Sequence, residues 1–269
     1  MIVHNFDPVL IDFGLFQIRW YSIAYISGIA LAWVYANKII SKIKNNQHNF
    51  QSINTEQFDN LVTYLIIGII VGGRIGYVLF YNFQYFINSP FEIIKIWKGG
   101  MSFHGGLLGV ILATSIFAKI TKDNFFKFSD IICCVAPIGI FLGRIANFIN
   151  GELIGKITTL PWGVIFSVEE NLGRHPSQIY EAILEGVILF FIINFLALYK
   201  KKIFNTGHIS GIFLILYSIL RIISEIFREP DVHIGYIYSY LSMGVLLSLF
   251  TLIAGFFVIL FNKKNERNN

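Results

Sequence analysis

The stretch GRIANFINGELIG, residues 143–155, closes a long apolar run by gathering Arg144, Asn147, Asn150 and Glu152 where a membrane span should end. The run before it, 130–149, has the roughly 20 mainly apolar residues that a helix needs to cross about 30 Å of hydrocarbon with its backbone bonded internally. Six further stretches qualify, at 18–40, 59–81, 102–120, 178–199, 208–227 and 238–261. Composition agrees, because 55% hydrophobic and only 14% charged residues do not make an ordinary water-soluble globule. The expectation is an all-α integral membrane protein with seven transmembrane helices, forming a single polytopic domain over residues 1–269. Two longer polar loops, 82–101 and 150–177, connect spans on one side, and the Phe-rich YNFQYFINSPFEIIKIW gives the first an interfacial character. The opening MIVHNFDPVL has neither Lys nor Arg and no small-residue cleavage site, so the first span is expected to be retained. Cys133 and Cys134 are neighbours inside an apolar run, a spacing that suits small core residues better than a disulfide or a metal clip.

Orientation follows from the basic residues, which are enriched in cytoplasmic loops. Of the 21 Lys and Arg, twelve follow odd-numbered spans, at Lys38, Lys42, Lys44, Lys119, Lys122, Lys127, Lys200 to Lys202, Lys263, Lys264 and Arg267. Six lie on the other side, at Arg19, Lys95, Lys98, Lys156, Arg174 and Arg228. The amino terminus is therefore expected outside and the carboxyl terminus in the cytoplasm. The +5 net charge reads as topology signal and not as a nucleic-acid patch. The remaining three, Arg74, Arg144 and Arg221, fall in the outer parts of spans two, four and six. A mid-membrane arginine costs about 3 kcal/mol on insertion scales, so three near one surface are informative.

Within the quoted stretch, spacings of three and four put Arg144, Asn147 and Gly151 on one helical face, with Asn150 and Glu152 in the following turn. A guanidinium there offers a fixed fork of donors for two phosphate oxygens; the competing reading is an Arg144–Glu152 pair or an arginine snorkelling to headgroups. In WKGGMSFHGGLLG, residues 97–109, His104 opens span three between glycine pairs. It is a candidate general base, or a helix-start histidine among glycines that serve close helix packing. In GRHPSQIYEAILEG, residues 173–186, Ser177 is a plausible N-cap, and Glu181 and Glu185 share a helical face; capping and dipole pairing account for most of this. In RIISEIFREPD, residues 221–231, Arg221, Glu225 and Arg228 share a face; a salt-bridge ladder explains Arg221 with Glu225 and leaves Arg228 to face a ligand. Arg74, in GGRIGYVLFYN, echoes the Gly-Arg-Ile of the quoted stretch.

The six histidines show no metal-ligand spacing, and no phosphate loop, dinucleotide fingerprint or Gly-x-Ser-x-Gly elbow is present. Neither a metal nor a cofactor is expected, nor a nucleic-acid partner. A transporter or flippase would also place charges in the membrane, but matched discontinuous helices are absent beyond the Gly-Arg-Ile echo; a lipid-binding scaffold is the third class.

The residues then resemble those of the bacterial prolipoprotein diacylglyceryl transferases. The family signature Gly-Arg-x-(Gly/Ala)-Asn-Phe-x-Asn-x-Glu-x-x-Gly is met by Gly143, Arg144, Ala146, Asn147, Phe148, Asn150, Glu152 and Gly155. RWYSIAYISG, GGRIGY, GGMSFHGGLLG, RHPSQIYEA and RIISEIFREPD are similar to the family's other blocks and extend over nearly the whole chain. The resemblance implies a multi-pass enzyme of the bacterial plasma membrane, with its site toward the outer leaflet. Its partners are phosphatidylglycerol, the lipobox peptide of a prolipoprotein and the surrounding membrane lipids. The diacylglyceryl group moves to the lipobox cysteine as a thioether, and glycerol phosphate departs. On that reading Arg144 and Arg228 grip the phosphate, Asn147 and Glu152 orient the glycerol and Arg144, and Tyr25 and His104 line the cavity, His104 as the candidate base. Gly155 completes the substrate site, supported by Arg74, Gln178, Arg221 and Glu225.

Overall fold

The computed structural model describes residues 1–14, 17–46, 53–166, 171–230, 236–237 and 241–268, without the side chains of residues 45, 46, 98, 236, 237 and 263–268. His48, Asp231, His233 and Tyr238, where the seventh span was expected to open, lie outside the described residues, as do the side chains of Lys98, Lys263, Lys264 and Arg267.

Among the described residues, seven helices are long and apolar enough to cross a membrane. They are α1 (Trp20–Asn46), α2 (Thr55–Phe80), α4 (Phe103–Thr121), α5 (Phe125–Ile149), α6 (Ser177–Tyr199), α7 (His208–Glu225) and α8 (Met243–Asn268), with a short α3 (Phe83–Asn88) after α2. The boundaries differ from the expected ones for local reasons. Asn54 builds a capping box with Gln57 and starts α2 at Thr55. Asn124 Oδ1 accepts from Phe126 N at 2.8 Å, and α5 begins at Phe125. Gln17–Arg19 (β3) pairs antiparallel with Val9–Asp12 (β2), so α1 opens at Trp20.

The described chain divides into two compact units, Asn37–Ser129 and Met1–Ala36 with Asp130–Asn269. In the first, α2 and α4 run antiparallel along a glycine seam. A Cβ on Gly76 would lie 2.8 Å from Gly105 Cα, and one on Gly72 would lie 2.9 Å from Gly109 Cα. Small residues let two backbones approach this closely. The packing alternative for the glycines around His104 is thus what Gly105 and Gly109 do.

In the second unit α5 to α8 pack with the first part of α1. Asn194 donates to Cys134 O at 2.9 Å, Ser218 meets Thr251 at 2.6 Å, and Cys133 and Cys134 are buried. Gly207, before α7, has no side chain to cap it. Asp130 of α5 supplies the cap, accepting from Gly207 N at 2.6 Å and from Ser210 N at 2.7 Å. A small sheet gathers at the other end of these helices. Ile2–Val3 (β1) pairs parallel to Val164–Ile165 (β4), which pairs antiparallel to Gly173–Arg174 (β5). A third hairpin joins Tyr236–Ile237 (β6) to Leu241–Ser242 (β7) before α8. Apolar periodicity gave no sign of these strands, which are two residues long in β1, β4 and β5.

Candidate active site

Arg144 lies on the last turns of α5, and its guanidinium reaches α6. Nη1 is 2.9 Å from Glu181 Oε2, and Nη2 donates to Glu185 Oε2 at 3.1 Å. Arg221 of α7 meets the same two carboxylates, with Nη1 2.6 Å from Glu181 Oε1 and 3.2 Å from Glu185 Oε1, while Nη2 is 2.7 Å from Glu225 Oε2. Arg228 Nη1 is 3.3 Å from Glu181 Oε1. Glu181 therefore touches all three guanidiniums. Its side chain and that of Glu185 are fully buried, whereas Arg144 keeps 17% of its side-chain surface accessible.

Helix α6 carries both carboxylates and is not α-helical throughout. Ala182–Ile188 and Phe195–Tyr199 are π-helical, a geometry often found at functional sites. The expectation that capping and dipole pairing explain Glu181 and Glu185 is corrected, because both carboxylates are spent on buried ion pairs. Nor is Ser177 an N-cap: it is the first helical residue, and its Oγ donates to Leu153 O at 2.9 Å. The alternative pairing of Arg144 with Glu152 is replaced by Glu181 and Glu185.

Arg228 reaches the cluster by a route that helical spacing does not give. Helix α7 ends at Glu225, so Arg228 does not continue its face. Its backbone bridges Gly155, flanked by Lys156 N donating to Phe227 O at 2.9 Å and Glu229 N donating to Ile154 O at 3.2 Å. Gly155 has a steric role here. A Cβ would lie 2.7 Å from Phe227 O and 2.7 Å from His175 Cβ. Replacing Gly155 with Ala is expected to cost about 1–3 kcal/mol by overpacking and to push Arg228 off Glu181, read as a lower melting temperature of the purified protein. The expected Arg221–Glu225 pair forms, and Ser242 Oγ donates to Glu225 Oε1 at 2.8 Å.

A second polar group sits beside the cluster. Asn147 Nδ2 donates to the Tyr21 hydroxyl, Tyr21 Oη donates to Glu152 Oε2 at 3.1 Å, and Asn150 Nδ2 donates to Glu152 Oε1 at 3.3 Å. Gln178, fully buried, donates to Glu152 O at 2.5 Å and ties the start of α6 to this turn. Tyr25, expected to line the cavity, stacks on Tyr21 at 6.0 Å and is 60% exposed; Tyr21 holds the polar contacts. Both tyrosines stand in RWYSIAYISG, and only the Asn147 and Glu152 contacts distinguish them. Partial burial, and secondarily Lys156, hold the His175 pKa under its ordinary value.

Arg74 and His104 belong to the other unit. The Arg74 guanidinium is buried and donates to backbone carbonyls, including Ile93 O at 2.8 Å and Glu92 O at 2.7 Å. His104 is exposed in the first turn of α4, edge-on to Phe103 at 5.5 Å.

A family model described as prolipoprotein diacylglyceryl transferase matches residues 8–261. A protein of Rickettsia akari (strain Hartford), named phosphatidylglycerol–prolipoprotein diacylglyceryl transferase, is 49% identical over 259 residues, covering 96% of this chain and 98% of its own. Relatives with the same name from Rickettsia felis and Rickettsia bellii (strain OSU 85-389) are each 48% identical, over 96% and 97% of this chain and 98% and 97% of theirs.

Proposed function

The chain belongs to the prolipoprotein diacylglyceryl transferase family, and on that premise we propose that the arginine cluster of α5 to α7 is where the phosphate of phosphatidylglycerol is held during transfer. The protein is a multi-pass membrane enzyme that moves a diacylglyceryl group from phosphatidylglycerol to a prolipoprotein. Sulfur of the lipobox cysteine bonds to the terminal glyceryl carbon, the bond from that carbon to the phosphate oxygen breaks, and glycerol phosphate leaves with the electron pair. The thiol must lose its proton, since the thiolate is the nucleophile.

The observation that supports this reading is the convergence of Arg144 and Arg228 on one carboxylate from separate segments. A guanidinium carries five N–H donors, and Arg144 contacts the two glutamates through two of its nitrogens while part of its surface stays accessible. The ion pairs fix the plane of the group before substrate arrives. Fixed donors aimed at oxygens that gain charge stabilise the transition state without reorganisation cost. Tyr21, Asn147 and Glu152 are the groups placed to orient the glycerol, and the buried Oε1 of Gln178, which has no hydrogen bond among the described residues, offers an acceptor to a hydroxyl.

The charge asymmetry of the loops supports an outer-leaflet site in the bacterial inner membrane, with the amino terminus outside. His104 is the proposed acceptor of the thiol proton, through a ring nitrogen. His104→Gln is expected to slow transfer about 100-fold or more. Near-normal rates in a purified lipid and peptide assay would remove the base role. The function as a whole is tested by incubating the protein with phosphatidylglycerol labelled in its acyl chains and a lipobox peptide. Label on the cysteine is the expected result; label crossing leaflets, or retained without reaction, would contradict it.

A further inference from the structure

The segment between α2 and α4 is built unlike an aqueous loop. Its end folds back alongside the helix it left: Ser102 N donates to Gly73 O at 2.9 Å, and α4 starts at Phe103. Gly73 is seven residues before the last residue of α2, so the chain descends about 10 Å below that helix end, at 1.5 Å per residue. Irregular backbone at such a depth needs protein partners for its carbonyls, because hydrocarbon offers none.

Arg74 supplies them. Its Nε donates to Ile93 O at 2.8 Å, Nη1 to Gly99 O at 2.5 Å and Gly100 O at 3.0 Å, and Nη2 to Glu92 O at 2.7 Å and Lys95 O at 3.3 Å. The same guanidinium lies 5.1 Å from the ring centre of Phe86, which is buried. Glu92 is neutralised by Lys95, with Nζ 2.6 Å from Oε1. The outer surface of the segment is apolar: Phe91 is 83% exposed, Ile94 71% and Trp97 73%. Left in water, this would be an exposed apolar patch.

We infer that residues 82–101 form a re-entrant element whose Phe91 and Ile94 side chains enter the leaflet reached by the end of α2, with Trp97 at the boundary between its acyl chains and headgroups, and that Arg74 is the strut satisfying its backbone there. The occupant of the apolar face is phospholipid, because the face is continuous with the apolar surfaces of α2 and α4 that cross the membrane. Tyr81, Tyr85 and Trp97 are residue types that settle at the interface.

The test uses the full chain with Trp20, Trp33 and Trp162 replaced by Phe, leaving Trp97 as the sole tryptophan. The protein is placed at low density in phosphatidylcholine and phosphatidylglycerol vesicles, some carrying dibrominated acyl chains. Blue-shifted emission quenched about twofold or more by bromines near the headgroup, with little quenching by aqueous iodide, is expected for an interfacial indole. Iodide quenching without bromine quenching would place Trp97 in water and overturn the proposal. Insensitivity to both would mean that protein covers the face, and would also overturn it. Arg74→Lys keeps a charge but loses the planar fork that spans several carbonyls, so iodide quenching of Trp97 should rise about twofold. Unchanged quenching in that variant would deny Arg74 the strut role. Neither readout depends on transfer activity, so the proposal and the catalytic reading fail separately.

Discussion

Replacing Arg144 by Ala is expected to reduce diacylglyceryl transfer by about 100- to 1,000-fold or more, the loss seen when one preorganised donor to a developing negative charge is removed. Two of its nitrogens anchor on Glu181 and Glu185, so the side chain has one orientation to present to a phosphate. Arg144→Lys separates charge from geometry. An ammonium is a point charge on a flexible stem and cannot reproduce a planar fork, so turnover should fall by about tenfold or more although net charge is kept. Both variants are assayed for label transfer from phosphatidylglycerol to a lipobox peptide, with membrane insertion and melting temperature as controls. A correctly inserted Arg144→Ala protein with wild-type turnover would end the phosphate-holding role.

The second large effect is expected at Glu181, by a different mechanism. Arg144, Arg221 and Arg228 face Glu181, Glu185 and Glu225, three cations against three anions. Removing one partner from a buried ion-pair group costs about 3–5 kcal/mol, because a desolvated charge is left uncompensated. Glu181 is the partner common to all three arginines, so Glu181→Ala should lower the melting temperature by roughly 10 °C and abolish transfer. Glu181→Asp keeps the charge on a shorter stem and is expected to recover stability more fully than activity, because the guanidiniums no longer converge at one point. A thermal shift below about 2 °C for Glu181→Ala would mean that the cluster is solvated and the ion pairs are weak.

Much of the candidate site was visible along the chain. Arg144, Asn147, Glu152 and Gly155 fall within one short motif, and Arg221 with Glu225 is a one-turn pair that helical spacing predicts. Glu181 and Glu185 were also seen to share a face. Their chemistry was misjudged because a carboxylate in the first turns of a helix has a sufficient local explanation in the helix dipole. Nothing local says that an arginine some 40 positions away will claim it. Tyr21 went unnoticed for the same reason: it stands one helical turn from Tyr25, and only the positions of Asn147 and Glu152 show that it carries polar contacts. Arg74 looked like a companion of Arg144 because both follow Gly and precede Ile, yet its donors meet loop carbonyls.

The sequence by itself determined the membrane class, the seven spans, the family and the short polar motifs, because hydropathy, helical period and motif spacing are properties of neighbouring residues. The tertiary structure alone decided which carboxylate meets which guanidinium. It also decided that Arg228 arrives through backbone pairing with Gly155, and that residues 82–101 fold back along α2. Those outcomes depend on burial, which makes an unpaired charge or carbonyl costly enough to select its partner from anywhere in the chain.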